Sequence, residues 1–93
     1  FVSNDVTAVG CILALQEKGY AIPDDVAVIG FNNDPVSTIV KPQLSTINYP
    51  GKEAGILAAK YMIEHLSGEN SLEHTQKVIL NTQLIVRGST LKN

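Results

Sequence analysis

The sequence predicts an α/β fold built on a Rossmann-like parallel sheet, and two observations carry that reading. The run VAVIGF, Val26–Phe31, is too short and too uniformly apolar for a surface helix; it has the composition of a strand covered on both faces. Before it, Val6, Val9, Ile12, Leu13 and Leu15 recur at near-helical spacing, and before those Phe1–Val2 reads as the end of another strand. Strand, helix, strand is a βαβ unit, whose crossover is right-handed.

Each element has a local reason. Ser3, Asn4 and Asp5 can each accept from the free N–H groups that open a helix, with Asp5 the favoured cap. Gly19 is placed to end that helix in a left-handed conformation. AIPDD at 21–25 is a turn in which Pro23 fixes the backbone. Residues 32–43 read as a loop with one helical turn near Pro35–Val40, and Leu44–Asn48 as a short strand. Pro50 and Gly51 start a second helix to about Ser67, with Ala54, Leu57, Ala58, Tyr61, Met62 and Leu66 on one face. A polar loop, SGENSLEHTQ, follows. Val78–Leu80 and Gln83–Val86 read as two strands or one interrupted strand, ahead of a polar tail, GSTLKN.

Composition removes several functions. The chain has 93 residues, 44% hydrophobic, and a formal net charge of −2. Its seven Lys and Arg form no basic stripe, so the electrostatic term that dominates nucleic-acid affinity is missing. The single cysteine, Cys11, excludes an intrachain disulfide framework and fits a reducing cytoplasm. No apolar run approaches the ~18–20 residues needed to cross a bilayer. The opening FVSND has neither Met nor a basic leader, so an upstream portion of the protein is expected.

Catalytic and metal chemistry find little support. His65 and His74 lie in polar surroundings without Cys or carboxylate at ligand spacing, so no metal site is expected. Ser3, Ser37, Ser45 and Ser89 lack a nucleophile elbow, and Cys11 sits in an apolar helix. No G-x-G-x-x-G occurs, no carboxylates pair for acid–base work, and no cofactor is expected. The informative residues are amides. Asn4 follows the first strand, and Asn32, Asn33 and Asp34 follow the second, where open α/β sheets bind ligands. Asn both donates and accepts, which suits a sugar hydroxyl or a nucleobase edge. Asn and Asp are also ordinary turn formers and caps, so from spacing alone both readings of Asn4 and Asn32 stay open.

Taken in order, ND, TAVG…AL…G, IPDDVAVIGFNN, PQLSTI, a Pro-started helix and LIVRGST closely resemble the C-terminal part of LacI/GalR-family transcriptional repressors. The resemblance implies a periplasmic-binding-protein-like type I domain, of which residues 1–93 are an incomplete C-terminal portion. The DNA-binding headpiece and the first half of the effector domain are expected outside this chain. It also implies a small-molecule effector, sugar or purine-like, bound between two lobes and changing operator affinity through dimer geometry. Carried over by position, effector contacts fall on Asn4, Asn32 and Tyr49, and dimer contacts on Val9, Ile39 and Val40. Most relatives carry Asp where this chain has Asn32. The expected partners are thus an effector, a second copy of the chain, and operator DNA through the headpiece, with no membrane. The helix at 51–67 belongs to the other lobe in this family, so its apolar face and the open strand edges are expected to make the isolated chain associate, the alternative being that the helix folds back over the chain's own sheet. A periplasmic-type solute-binding protein is the alternative on the same fold, and a sugar-processing enzyme is disfavoured for want of a nucleophile or acid–base pair.

Overall fold

Asn4, not Asp5, opens the first helix. Its side-chain Oδ1 accepts from the Thr7 N–H at 2.8 Å, and α1 runs over Asp5–Glu17. This corrects the sequence-based choice of Asp5, which is fully buried and turned inward. In the computed structural model, residues 1–67 and 78–91 are described. α1 ends as expected at Gly19, whose φ is +89°. The Gly19 N–H donates to the Gln16 carbonyl and the Tyr20 N–H to the Leu15 carbonyl, the paired bonds of a Schellman ending.

The inner face of α1 is Asp5, Ala8 and Ile12, one residue per turn. Ala8 and Ile12 join Ile22, Val28, Val40 and Leu44 in the core, with Val2, Val9, Leu15 and Val26 packed at its edge. Val6 and Leu13, expected on the apolar stripe, are exposed.

Neither Phe1–Val2 nor Val26–Phe31 forms the expected strand; Val26–Phe31 is an irregular segment that makes a single isolated bridge, at Ile29, and is held by backbone bonds to the segments on either side. The Val2 N–H donates to the Ile29 carbonyl, and the N–H groups of Gly30 and Asn32 donate to the carbonyls of Ser45 and Ile47. Ile29 and Ser45 form a parallel bridge. The expectation of cover on both faces needs correction. Val28 and Gly30 are buried under α1, whereas Ile29 and Phe31 are half-buried and Ala27 is exposed. Beyond it lies β1 (Thr46–Asn48), which pairs antiparallel with β2 (Gln83–Ile85) in the register Thr46–Ile85, Ile47–Leu84, Asn48–Gln83. The described sheet is therefore a two-stranded antiparallel pair, and parallel pairing is present only as the isolated Ile29–Ser45 bridge. The expected helical turn is a 3₁₀ turn at Pro35–Thr38.

Ser89 closes this unit. Its Oγ donates to the Val28 carbonyl at 2.6 Å and accepts from the Ser45 N–H at 2.8 Å. Its own N–H reaches the Gln43 carbonyl, and its carbonyl takes the Val28 N–H. One small buried side chain thus satisfies groups on two neighbouring segments, each bond worth about 1 kcal/mol net.

Phe1–Tyr49 with Thr82–Asn93 forms one compact unit and Pro50–Asn81 a second. In the second, α2 covers Gly51–Leu66, with the Ala54 N–H bonded to the Pro50 carbonyl. Ala54, Leu57 and Tyr61 are half-buried, while Ala58, Met62 and Leu66 of the expected face are exposed. Val78–Leu80 is not a strand; Val78 and Ile79 are exposed. The expected polar loop beyond Ser67 and His74 lie outside the described residues. No helix among those described is long and apolar enough to cross a membrane.

Candidate functional site

Three segments deliver an asparagine to one rim: Asn4 beyond Val2, Asn32 beyond Ile29, and Asn48 at the end of β1. The turns carrying Asn4 and Asn32 are locked to each other. The Asp34 backbone N–H donates to Asp5 Oδ2 at 2.6 Å, and the Thr46 hydroxyl donates to Asp5 Oδ1 at 2.7 Å. Asp5 is therefore a buried acceptor that joins the start of α1, the turn at Asn32–Asp34, and β1. Its place in the first turn of α1 also sets its negative charge against the helix dipole.

This junction explains the glycine of VIGF. A Cβ on Gly30 would collide with Asp5 Oδ1 and lie 3.0 Å from Leu44 Cδ2 and 3.3 Å from Asp5 Cα. The strand approaches the helix start this closely only because Gly30 has no side chain.

The turn itself is left-handed twice over, with φ of 104° at Asn32 and 58° at Asn33. Asn tolerates this region better than other non-glycine residues. Asn32 is exposed and its Nδ2 donates to Asp34 Oδ1 at 2.9 Å. Asn33 is turned inward. Its N–H donates to Thr46 Oγ1 at 3.2 Å, and its Oδ1 accepts from Arg87 Nη2 at 2.9 Å and from the Ser37 hydroxyl at 3.3 Å. Its Nδ2 reaches Asn48 Oδ1 at 3.4 Å. Arg87 Nη1 donates further to Ser37 Oγ and the Leu44 carbonyl. A continuous polar chain thus runs Asp5, Thr46, Asn33, Arg87 behind the exposed amides.

Of the residues singled out from sequence, Asn4 and Asn32 stand exposed on neighbouring turns. Tyr49 is exposed, with its ring 5.8 Å from that of Phe31 and tilted by 37°. Val9 is half-buried against the core. The expected exposed pair Ile39–Val40 divides: Ile39 is 72% exposed, but Val40 is 8% exposed and belongs to the core. The 3₁₀ turn is the cause. It brings the Val40 N–H back to the Val36 carbonyl and turns Ser37 and Val40, three residues apart, inward while Thr38 and Ile39 face out. Sequence reading missed Asp5 as a junction, and also Asn33, Thr46 and Arg87. Among the described residues no group of His, Cys, Asp and Glu could hold a metal ion.

The chain has known counterparts. The family model described as a periplasmic binding protein-like domain matches residues 1–90. The lactose operon repressor of Rhizobium radiobacter is 40% identical over 90 residues, covering 97% of this chain and 77% of that sequence. The chain belongs to the LacI/GalR family. The NTD biosynthesis operon regulator NtdR of Bacillus subtilis is also 40% identical over 90 residues, but there the LacI/GalR chain described above spans only 27% of the relative's length. In three dimensions it resembles a periplasmic binding protein/LacI transcriptional regulator from Alkaliphilus metalliredigens, complexed with D-xylulofuranose, at a TM-score of 0.83 and 33% identity. That match covers 99% of this chain and 34% of the other. The fold class expected from sequence, part of a periplasmic-binding-protein-like domain, therefore stands, and the LacI/GalR relatives are named as regulators rather than enzymes.

Proposed function

We propose that this chain is the C-terminal portion of the effector-binding and dimerisation domain of a ligand-responsive transcriptional repressor. Asn4, Asn32 and Tyr49 contact a small effector, a sugar or a purine-like molecule, and Val9 and Ile39 face a second copy across a homodimer interface to which Val40 contributes from beneath. Operator DNA is bound by a headpiece outside these residues, in the cytoplasm, and no catalytic step is involved. The observation that carries the reading is the pair of exposed amides on turns fixed to each other through Asp5. Such a rim gives hydrogen-bonding groups a defined geometry before a ligand arrives. The regulators named among the relatives support it over a transport protein on the same fold.

Asn32→Ala is expected to weaken effector binding by about 1–3 kcal/mol, the usual cost of removing one buried hydrogen-bond partner. Titration calorimetry on the full-length protein, with a compound selected by thermal-shift screening of sugars and purines, measures it. Unchanged affinity would remove Asn32 from the site. Residues 1–93 alone are expected not to retain operator DNA in a gel shift at physiological salt, because seven scattered cations against nine carboxylates supply no counterion release. A specific shifted band would contradict that.

A further inference from the structure

Resting on the reading of Asn32 as an effector contact, we infer that Arg87 is a positioning residue: its guanidinium, acting through Asn33, holds the strained turn that presents Asn32 in its binding-competent shape. The turn is costly by itself. Asn32 and Asn33 both have positive φ, 104° and 58°. Two consecutive non-glycine residues rarely occupy this region, and such a conformation persists where its surroundings over-determine it. Part of that restraint is local to the backbone. The N–H of Asn32 donates to the Ile47 carbonyl, that of Asn33 to Thr46 Oγ1 and that of Asp34 to Asp5 Oδ2. These bonds leave the Asn33 side chain undirected, and that side chain is half-buried while its neighbour Asn32 stands exposed.

The restraint on that side chain comes from 54 positions further along the chain. Arg87 Nη2 donates to Asn33 Oδ1 at 2.9 Å, while Nη1 of the same guanidinium donates to Ser37 Oγ at 2.8 Å and to the Leu44 carbonyl at 2.9 Å. Ser37 is fully buried, and its hydroxyl donates to the same Asn33 Oδ1 at 3.3 Å. A guanidinium can only donate, so it dictates which end of the Asn33 amide faces it; Nδ2 is left to meet Asn48 Oδ1 at 3.4 Å. The acceptors are all neutral, so the guanidinium is placed by the geometry of its fork rather than by an ion pair. An ammonium on a flexible stem does not reproduce that planar fork. The Arg87 backbone is anchored separately, its N–H donating to Ser45 Oγ at 2.7 Å, so replacing the side chain leaves the segment in place. Arg87 makes no hydrogen bond to Asn4 or Asn32 among the described residues, and its influence on the rim passes through Asn33.

The test is amide hydrogen exchange and ligand binding on the full-length protein, with Arg87→Met, Arg87→Lys, Asn33→Gly and the double variant Asn33→Gly/Arg87→Met. Glycine takes positive φ without strain and offers no Oδ1 to the fork. Melting temperature reports whether each variant folds, and Arg87→Lys carries the comparison if Arg87→Met does not. Expected in Arg87→Met is exchange ~10-fold or more faster at the amides of Asn32, Asn33 and Asp34, with those of Ala8 and Ile12 in α1 unchanged. Arg87→Lys loosens the turn as well. In the Asn33→Gly background, Arg87→Met adds little, because the contact through which it acts is already gone. Turn amides as protected as in the parent, exchange raised equally in both backgrounds, or exchange raised equally throughout α1 each overturns the inference. Binding is read by titration calorimetry with D-xylulose, lactose, D-galactose and hypoxanthine. A probe that binds the parent is expected to bind Arg87→Met ~10-fold more weakly, since apparent affinity falls with the competent fraction. A loosened turn with unchanged affinity overturns the positioning role. If no probe binds the parent, the effector reading of Asn32 falls and the binding half of the inference with it, while exchange still decides whether Arg87 holds the turn.

Discussion

Gly30→Ala is expected to destabilise the protein by at least ~3 kcal/mol, and Gly30→Val to leave no folded protein at all. The added Cβ meets Asp5 Oδ1, and also Leu44 Cδ2 at 3.0 Å. Leu44 is fully buried. Overpacking of this kind costs ~1–3 kcal/mol. Asp5 cannot retreat without lengthening its bonds from Thr46 and from the Asp34 N–H, and bonds to a charged group are worth ~1.5–3 kcal/mol each. Against a typical total stability of ~5–15 kcal/mol, that is a large fraction. Urea denaturation of Gly30→Ala measures it. A variant as stable as the parent would mean that the strand does not approach the helix start so closely.

The second large effect is expected at Asp5. Asp5→Ala removes the acceptor for two donors, leaving the Asp34 N–H and the Thr46 hydroxyl without it. The penalty is expected at about 2–4 kcal/mol: two charge-assisted bonds are lost, offset in part because a carboxylate no longer has to be buried. Asp5→Asn is expected to cost less. Its amide oxygen can serve the Asp34 N–H while its NH₂ faces Thr46 Oγ1, but that oxygen already accepts from Asn33 and its proton must turn away. The pair of sites also makes a sharper prediction. Asp5→Ala deletes the very oxygen that a Cβ at Gly30 would strike. Gly30→Ala should therefore cost clearly less in the Asp5→Ala background than in the parent, a non-additivity of ~1 kcal/mol or more. Simple additivity of the two substitutions would show that they do not share one steric contact.

These residues also mark where sequence reading succeeds and where it stops. α1 was legible because its signals are local. A cap candidate, apolar spacing and a terminal glycine all lie within a few residues of what they control. VAVIGF was legible as an apolar segment entering the core, but its reduction to a single bridge at Ile29 and its cover on one face only were not, since composition does not say which neighbours arrive. Ser3, Asn4 and Asp5 carry interchangeable capping chemistry. Choosing between them required knowing that Thr46 stands 41 positions away to receive Asp5. Arg87 looked like one more residue of a tail motif, because its partners Asn33 and Ser37 lie 54 and 50 positions earlier. Ser45 and Ser89 were weighed only as nucleophiles, although both are buried and tie strands together. The exposed amides were found from sequence, and the inward scaffold that aims them was not.

The serine that closes the first unit has a consequence for how the protein is made. Val28 and Ser89 are 61 positions apart, and Pro50–Asn81 is synthesised between them as a separate unit. On the ribosome, the first 49 residues therefore emerge with buried-to-be groups of Val28 and Ser45 still facing water. Closing so long a loop is slow, though lengthening it further adds little, about 0.6 kcal/mol per doubling. A nascent chain stopped before Thr82 lacks β2, Arg87 and Ser89 together, and keeps a bare edge on β1. Such intermediates attract chaperones or aggregate. The second unit lacks this dependence in its helix: α2 can form as soon as it clears the exit tunnel, while the first waits for the final dozen residues of the chain described here.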